Sequence, residues 1–261
     1  MKLQTPSPHC QLEVCCGDLH SAMNAVQGGA CRIELCSALP LDGLTPSAGI
    51  LHALRQRFPL RPDGTTDLLI HVLVRPREGD FVYSAEEVEA MLTDIREAIR
   101  LGASAIVSGA LHPDGTLDVE TTRRLVEAAA PLPFTFHRAF DCIPDRFQAL
   151  RQLAELGVRR VLTSGGAPTA EAGIEALSRL VEEAAHLSEL RQTPLSILPG
   201  GGVTHENVRR IVDATGATEI HGSCARRQAD GRRTTDAAEV RAVLDSLHLT
   251  GSLKSPRTTS P

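Results

Sequence analysis

Two short stretches near the start of the chain, "LEVC" at 12–15 and "IELC" at 33–36, each set a carboxylate two residues ahead of a thiol. Side chains on an extended strand alternate faces with period two, so Glu13 shares a face with Cys15, and Glu34 with Cys36. On neighbouring strands roughly 5 Å apart, the spacing predicts two carboxylates in one layer and two thiols in the layer above. A carboxylate taken out of water costs several kcal/mol unless it is paired, shares a proton or meets a metal. The cations that the pattern offers to Glu13, Glu34 and Asp141 are Arg75 and Arg138. His137, with an ordinary pKa of about 6.5, is the natural general acid or base, and Asp141 is placed to orient it. Two thiolates at one depth suit a soft ion such as Cu(I). The competing reading takes Cys15 and Cys36 as small buried hydrophobes, and the Glu and Arg residues as an ion-pair network filling a core.

Two glycine-rich stretches, "TSGG" and "LPGGG", follow apolar runs and present backbone amides with no side chain in the way. Ser164, Gly165, Gly166, Gly200, Gly201 and Gly202 are therefore candidate phosphate-binding residues, with Arg75 as an additional clamp. The alternative is that tight turns need glycine for conformational reasons alone. No CxxC or HxxxH pair is present, so the pattern does not indicate a tetrahedral zinc site.

These residues need a frame that brings them together. Eight runs rich in aliphatic and β-branched residues recur along the chain: "QLEVCC", "CRIELC", "DLLIHVLVRP", "SAIVSGAL", "FTFHRAFD", "RRVLTSGG", "LSILPGGG" and "TEIHGSC". Between them lie amphipathic stretches with helix punctuation. In the clearest, Ser84 and Glu87 form a capping box, Val88, Met91, Leu92, Ile95 and Ile99 recur at helical spacing, and Gly102 marks the end. Other helices are expected from Thr45-Pro46, from 147 to 156, from Thr204, and across "AEAGIEALSRLVEEAAHLSEL". Eight β-then-α units in about 250 residues predict a (β/α)₈ TIM barrel, one α/β domain over 1–249, with a Ser/Thr/Pro-rich tail over 250–261. In such a barrel the active site forms at the C-terminal ends of the strands. Late polar residues (His71, Ser108, Thr163, Glu219, His221 and Ser223, besides those named above) are thus the informative ones.

The chain has 261 residues, 42% of them hydrophobic, a formal charge of -5, one Tyr and no Trp. Without a basic run or stacking aromatics it lacks the footprint of a nucleic-acid binder. No window approaches the roughly 18 to 20 apolar residues that span a bilayer. Seven dispersed cysteines point to a reducing compartment and a soluble cytoplasmic protein rather than a disulfide framework.

The stretches "LEVCCGDLHSAMNAVQGGACRIELCSALPLDGLTPSAG", "VRPREGDFVYSAEE", "TFHRAFD" and "VLTSGG" together resemble the CutC family of copper homeostasis proteins, from about Leu12 to His221. The resemblance implies a cytoplasmic TIM barrel, a homo-oligomer, and copper as the bound ion. It places the copper cysteines on Cys15 and Cys36, and a shared polar site on Glu13, Glu34, Arg75, His137, Arg138 and Asp141. No organic cofactor is implied. The chain departs from the family pattern at "DGLTPS" (Asp42 to Ser47) and at "HGSCARR" after the eighth run, where Cys224 lies. Two functions stand: a protein that binds Cu(I) in copper handling, and an enzyme doing acid/base chemistry on a small anionic metabolite, phosphorylated or not.

Overall fold

Each of the eight apolar runs forms one short strand: β1 (Leu12–Cys16), β2 (Arg32–Leu35), β3 (Leu69–Leu73), β4 (Ala105–Ser108), β5 (Phe134–Phe136), β6 (Arg160–Thr163), β7 (Ser196–Pro199) and β8 (Ile220–Gly222). The structure, a computed structural model, describes residues 12–229 and 231–248; residues 250–261, read as a tail, lie outside the described residues. Helices alternate with the strands as α1 (Leu19–Gln27), α2 (Ala48–Arg57), α3 (Ala85–Arg100), α4 (Val119–Ala129), α5 (Arg146–Glu155), α6 (Ile174–Arg191), α7 (Val208–Thr215) and α8 (Ala237–His248).

All strands of the main sheet are parallel, in the order β7-β6-β5-β4-β3-β2-β1-β8, with β7 and β8 in contact across the seam of a nearly closed barrel. Parallel strands covered by helices are buried on both faces, which is why they read as continuous apolar runs. The period of two still sorts the faces. Val14, Cys16, Ile33, Leu35, Ile70 and Val72 belong to the large core beneath the helices, whereas Cys15, Cys36, Leu73 and Val107 form a separate small cluster.

The capping box of α3 is present, with Glu87 N–H donating to Ser84 Oγ and Ser84 N–H to the Glu87 carboxylate. Three helix starts fall later than expected. Thr45 stays in the loop because its hydroxyl is tied to the backbone of Arg75, and Ser47 caps α2 instead. Thr204 precedes a turn, and α7 begins at Val208. The stretch before Ile174 is likewise turn rather than helix, Gly173 standing at the N-cap of α6.

After β8 a two-stranded antiparallel hairpin, β9 (Ala225–Arg227) with β10 (Arg233–Thr235), was not expected, since its exposed arginines carry no alternating apolar pattern. It is fastened to α1 by Asn24, whose amide donates to the Thr235 carbonyl. Cys31 is disulfide-bonded, although the dispersal of the cysteines points to a reducing compartment rather than a disulfide framework. Cys15, Cys16, Cys36, Cys142 and Cys224 are free thiols.

Candidate functional site

Charged residues inside the barrel stand in two tiers, and the lower one is built from the starts of strands. Arg32, the first residue of β2, is 0% exposed and lies between two carboxylates: Glu13 Oε2, 3.1 Å from its Nε, and Glu219, which pairs with its Nη1. Arg160, the first residue of β6, meets the same Glu219 carboxylate at 2.9 Å, and the Ser196 hydroxyl donates to its other oxygen at 2.8 Å. His71 Nδ1 lies 2.6 Å from Glu13 Oε2. The Glu13 contacts with Arg32 and His71 are close contacts rather than aligned hydrogen bonds, and burial outweighs Glu13 in lowering the pKa of His71. Burial alone would raise the Glu13 carboxyl, but His71 and Arg32 outweigh it and hold the group well below the carboxylate range. Burial likewise opposes ionisation of Glu219, yet Arg32 and Arg160 pull its pKa down to about 2.

The barrel's stagger changes the expected layers. Val14 pairs with Ile33 and Cys15 with Glu34, so Glu34 stands level with Cys15, while Glu13 stands level with Arg32. The two glutamates do not share a layer, because closing a sheet into a barrel shears neighbouring strands. Cys36 lies one step farther along, and its sulfur turns back to within 3.7 Å of Cys15 Sγ.

The upper tier joins β1, β2 and β8. His221, level with Glu13, presents Nδ1 to Glu13 Oε1 at 3.1 Å and Nε2 to Glu34 Oε2 at 3.7 Å. Donor atoms of Cys15, Glu34 and His221 lie within 4.8 Å of one another, all buried. The Cys15 thiol is pushed well above its ordinary pKa by its hydrogen bond with Cys36, then by burial and by Glu34. Burial raises the Glu34 carboxyl, opposed by His221. Burial opposes protonation of His221, but Glu34, Cys15 and Glu13 overcome it and hold the imidazolium well above its usual range. A metal entering this site therefore displaces protons, since its ligands must be deprotonated. The two thiols suit a soft ion such as Cu(I) and the imidazole accepts copper as well, whereas the carboxylate is a hard donor.

The remaining candidates gather at the upper rim and engage one another. Arg75 is not the counter-ion of Glu13 or Glu34. Its guanidinium donates to the carbonyls of Leu41, Gly43 and Gly79 at 2.9, 3.1 and 2.8 Å and lies 4.9 Å from the centre of the Phe81 ring. His137 packs between Phe81 and Phe136, with ring centres 4.9 and 5.9 Å away. Its Nδ1 accepts from Ala139 N–H at 3.3 Å, and its buried Nε2 has no partner among the described residues. Burial, helped by Arg75, lowers its pKa to about 3, so near neutrality it is a neutral hydrogen-bonding group.

Asp141 does not orient His137. Its carboxylate accepts from Thr163 Oγ1 at 2.5 Å, from the amides of Ser164 and Gly166 at 3.0 Å each, and from Arg138 Nε at 2.8 Å. Gly165 N–H donates to Thr163 Oγ1 and Gly200 N–H to the Thr163 carbonyl. The amides of residues 164–166 and 200 are thus taken within the protein. Gly201 and Gly202 are glycine of necessity, with φ of +103° and +71°. Arg138, 44% exposed at its side chain, lies against Gly201 and donates to Ser164 Oγ. A cavity of about 250 Å³ lined by Gly165, Gly166, Gly173 and Arg179 opens beside α6, away from the thiols.

Sequence reasoning missed Arg32 and Arg160, and it left His221 among the late-strand residues without a role. The signal for His221 was present: a histidine at the end of the last run, two residues beyond a glutamate.

The model of the CutC family matches residues 10–226. The chain is 42% identical over 222 residues to the copper homeostasis protein cutC homolog of Homo sapiens, covering 85% of this chain and 76% of that protein. It is 42% identical over 212 residues to a CutC family protein of Xanthomonas campestris, covering 81% and 82% of the two chains. The crystal structure of the CutC protein from Streptococcus agalactiae superposes with a TM-score of 0.73 at 33% identity, covering 82% of this chain and 98% of that one. With the family model matching residues 10–226, relatives 42% identical over most of the chain and the same fold at 33% identity, the chain belongs to the CutC family of copper homeostasis proteins.

Proposed function

We propose that the protein binds Cu(I) between Cys15 and Cys36 within the barrel and serves copper handling, in the cytoplasm and as a homo-oligomer. The observation that carries this reading is the pair of free, buried thiols, Cys15 on β1 and Cys36 at the end of β2, with their sulfurs 3.7 Å apart. Their Cα atoms are placed diagonally by the register, Cys36 lying beyond the residue that pairs with Cys15. In parallel strands about 4.8 Å apart with a rise of about 3.3 Å per residue, a two-residue offset puts the Cα atoms roughly 8 Å apart. That is near or beyond the reach of a disulfide, so the arrangement favours a shared ion over an S–S bond. Among the described residues no helix is long and apolar enough to cross a membrane.

A competition titration under reducing conditions, with a chromogenic Cu(I) chelator, tests the reading. Wild type is expected to withdraw one equivalent of Cu(I), and Cys15→Ser and Cys36→Ser each to lose more than about 100-fold in affinity, above the cost of removing an outer-shell partner. Full affinity in both variants would remove the thiolate site.

A second reading, an enzyme acting on a small anionic metabolite, is favoured by the unpartnered, buried Nε2 of His137 beside Arg75. Incubation with a metabolite extract should then show turnover that His137→Ala abolishes. An unchanged extract counts against it.

A further inference from the structure

Two sulfurs 3.7 Å apart are too close to hold an ion in a straight S–metal–S arrangement, which at bond lengths of about 2.3 Å needs roughly 4.6 Å. An ion bridging them keeps a side open to another donor. The side chain best placed to fill it is His221, buried on β8 next to β1. Its Nδ1 is committed to Glu13 at 3.1 Å, and Glu13 is itself fixed by Arg32 and His71. A carboxylate on one ring nitrogen orients a metal-binding histidine and leaves the other nitrogen to the ion. That other nitrogen, Nε2, faces Glu34 Oε2 at 3.7 Å, and the donors of Cys15, Glu34 and His221 lie within 4.8 Å of one another.

We propose that His221 is a third ligand of the ion, its Nε2 meeting it at Cys15, with which His221 and Glu34 form one close group of donors, while Cys36 Sγ reaches the ion from 3.7 Å beyond Cys15 Sγ. This rests on the Cu(I) reading above and deepens it. Glu13 belongs to the same site as the positioning residue that holds the imidazole, and the charged lower tier is its foundation. Cys15 and His221 lie on the adjacent strands β1 and β8, and Cys36 directly follows β2 with its amide bonded to the Cys16 carbonyl at 3.0 Å, so the site is held on the barrel frame before the ion arrives.

X-ray absorption at the copper edge on the Cu(I)-loaded wild-type protein is the test, read beside the affinity of His221→Asn in the chelator titration. The expected spectrum contains two sulfurs and one nitrogen with the outer-shell scattering of an imidazole, and His221→Asn loses that scattering together with more than about 100-fold in affinity, above the cost of removing an outer-shell partner. A sulfur-only wild-type spectrum, or His221→Asn binding as tightly as wild type, overturns the histidine ligand while leaving the thiolate reading intact. Cu(I) binding that survives in Cys15→Ser and Cys36→Ser removes the thiolate reading instead, and this one with it. Should His221→Asn fail to fold, the wild-type spectrum alone decides.

Discussion

Replacing Arg32 with methionine is expected to lower the unfolding free energy by about 3–5 kcal/mol, the usual cost of removing one partner from a buried ion pair. The size follows from what the substitution leaves behind. Glu13 and Glu219 both face Arg32, and methionine, though it fills much of the space, offers neither a charge nor a donor. Glu219 would retain Arg160, but Glu13 would keep only imidazoles. The same replacement at Arg210, whose side chain is 73% exposed and pairs with Glu171, 38% exposed, is expected to change stability by less than about 1 kcal/mol. Urea unfolding of the two variants beside wild type checks both. A loss at Arg32 no greater than at Arg210 would mean that the lower tier does not neutralise Glu13.

The second large effect is the response to acid. His137 is neutral in the fold, with a pKa of about 3, while in the unfolded chain it takes up a proton near 6.5. Because the unfolded state binds the extra proton, the contribution of His137 is complete above pH 6.5 and is lost as pH falls towards 3. One proton gives a slope of about 1.4 kcal/mol per pH unit. Glu219 acts in the same direction in a lower window. Its folded pKa of about 2 against an unfolded value near 4.3 makes its contribution, about 3 kcal/mol, present above that value and lost as pH falls through 2. In His137→Phe, a ring that suits the space between Phe81 and Phe136, the loss between pH 6.5 and 4.5 is expected to shrink by about 2–3 kcal/mol. Stability profiles of wild type and variant that run parallel over this window would place the protonated imidazole within reach of water.

Which parts of this could be read from the residues alone depended on how local the cause is. The eight strands were legible because an apolar run between helix signals is a local pattern, and the period of two sets Cys15 and Cys16 on opposite faces, Cys15 in the small cluster and Cys16 in the large core. The layers were not, because shear is a property of the closed sheet: a displacement of β2 by two residues moves Glu34 level with Cys15 and puts Arg32 beside Glu13. Looking only at strand C-termini discarded Arg32 and Arg160, which open their strands. It promoted Arg75, whose guanidinium is spent on three loop carbonyls. "TSGG" looked like a cradle for an anion, and it cradles one, the carboxylate of Asp141. The hairpin after β8 left no periodic trace, since its strands are three residues each and its arginines face solvent.

The most direct measurement is an anomalous difference map collected at the copper edge from crystals of the protein loaded with Cu(I) under reducing conditions. One peak within bonding distance of both Cys15 Sγ and Cys36 Sγ, above the Arg32–Glu13 tier, is the predicted result. A peak at the exposed Cys142, or none inside the barrel at full loading, would contradict it.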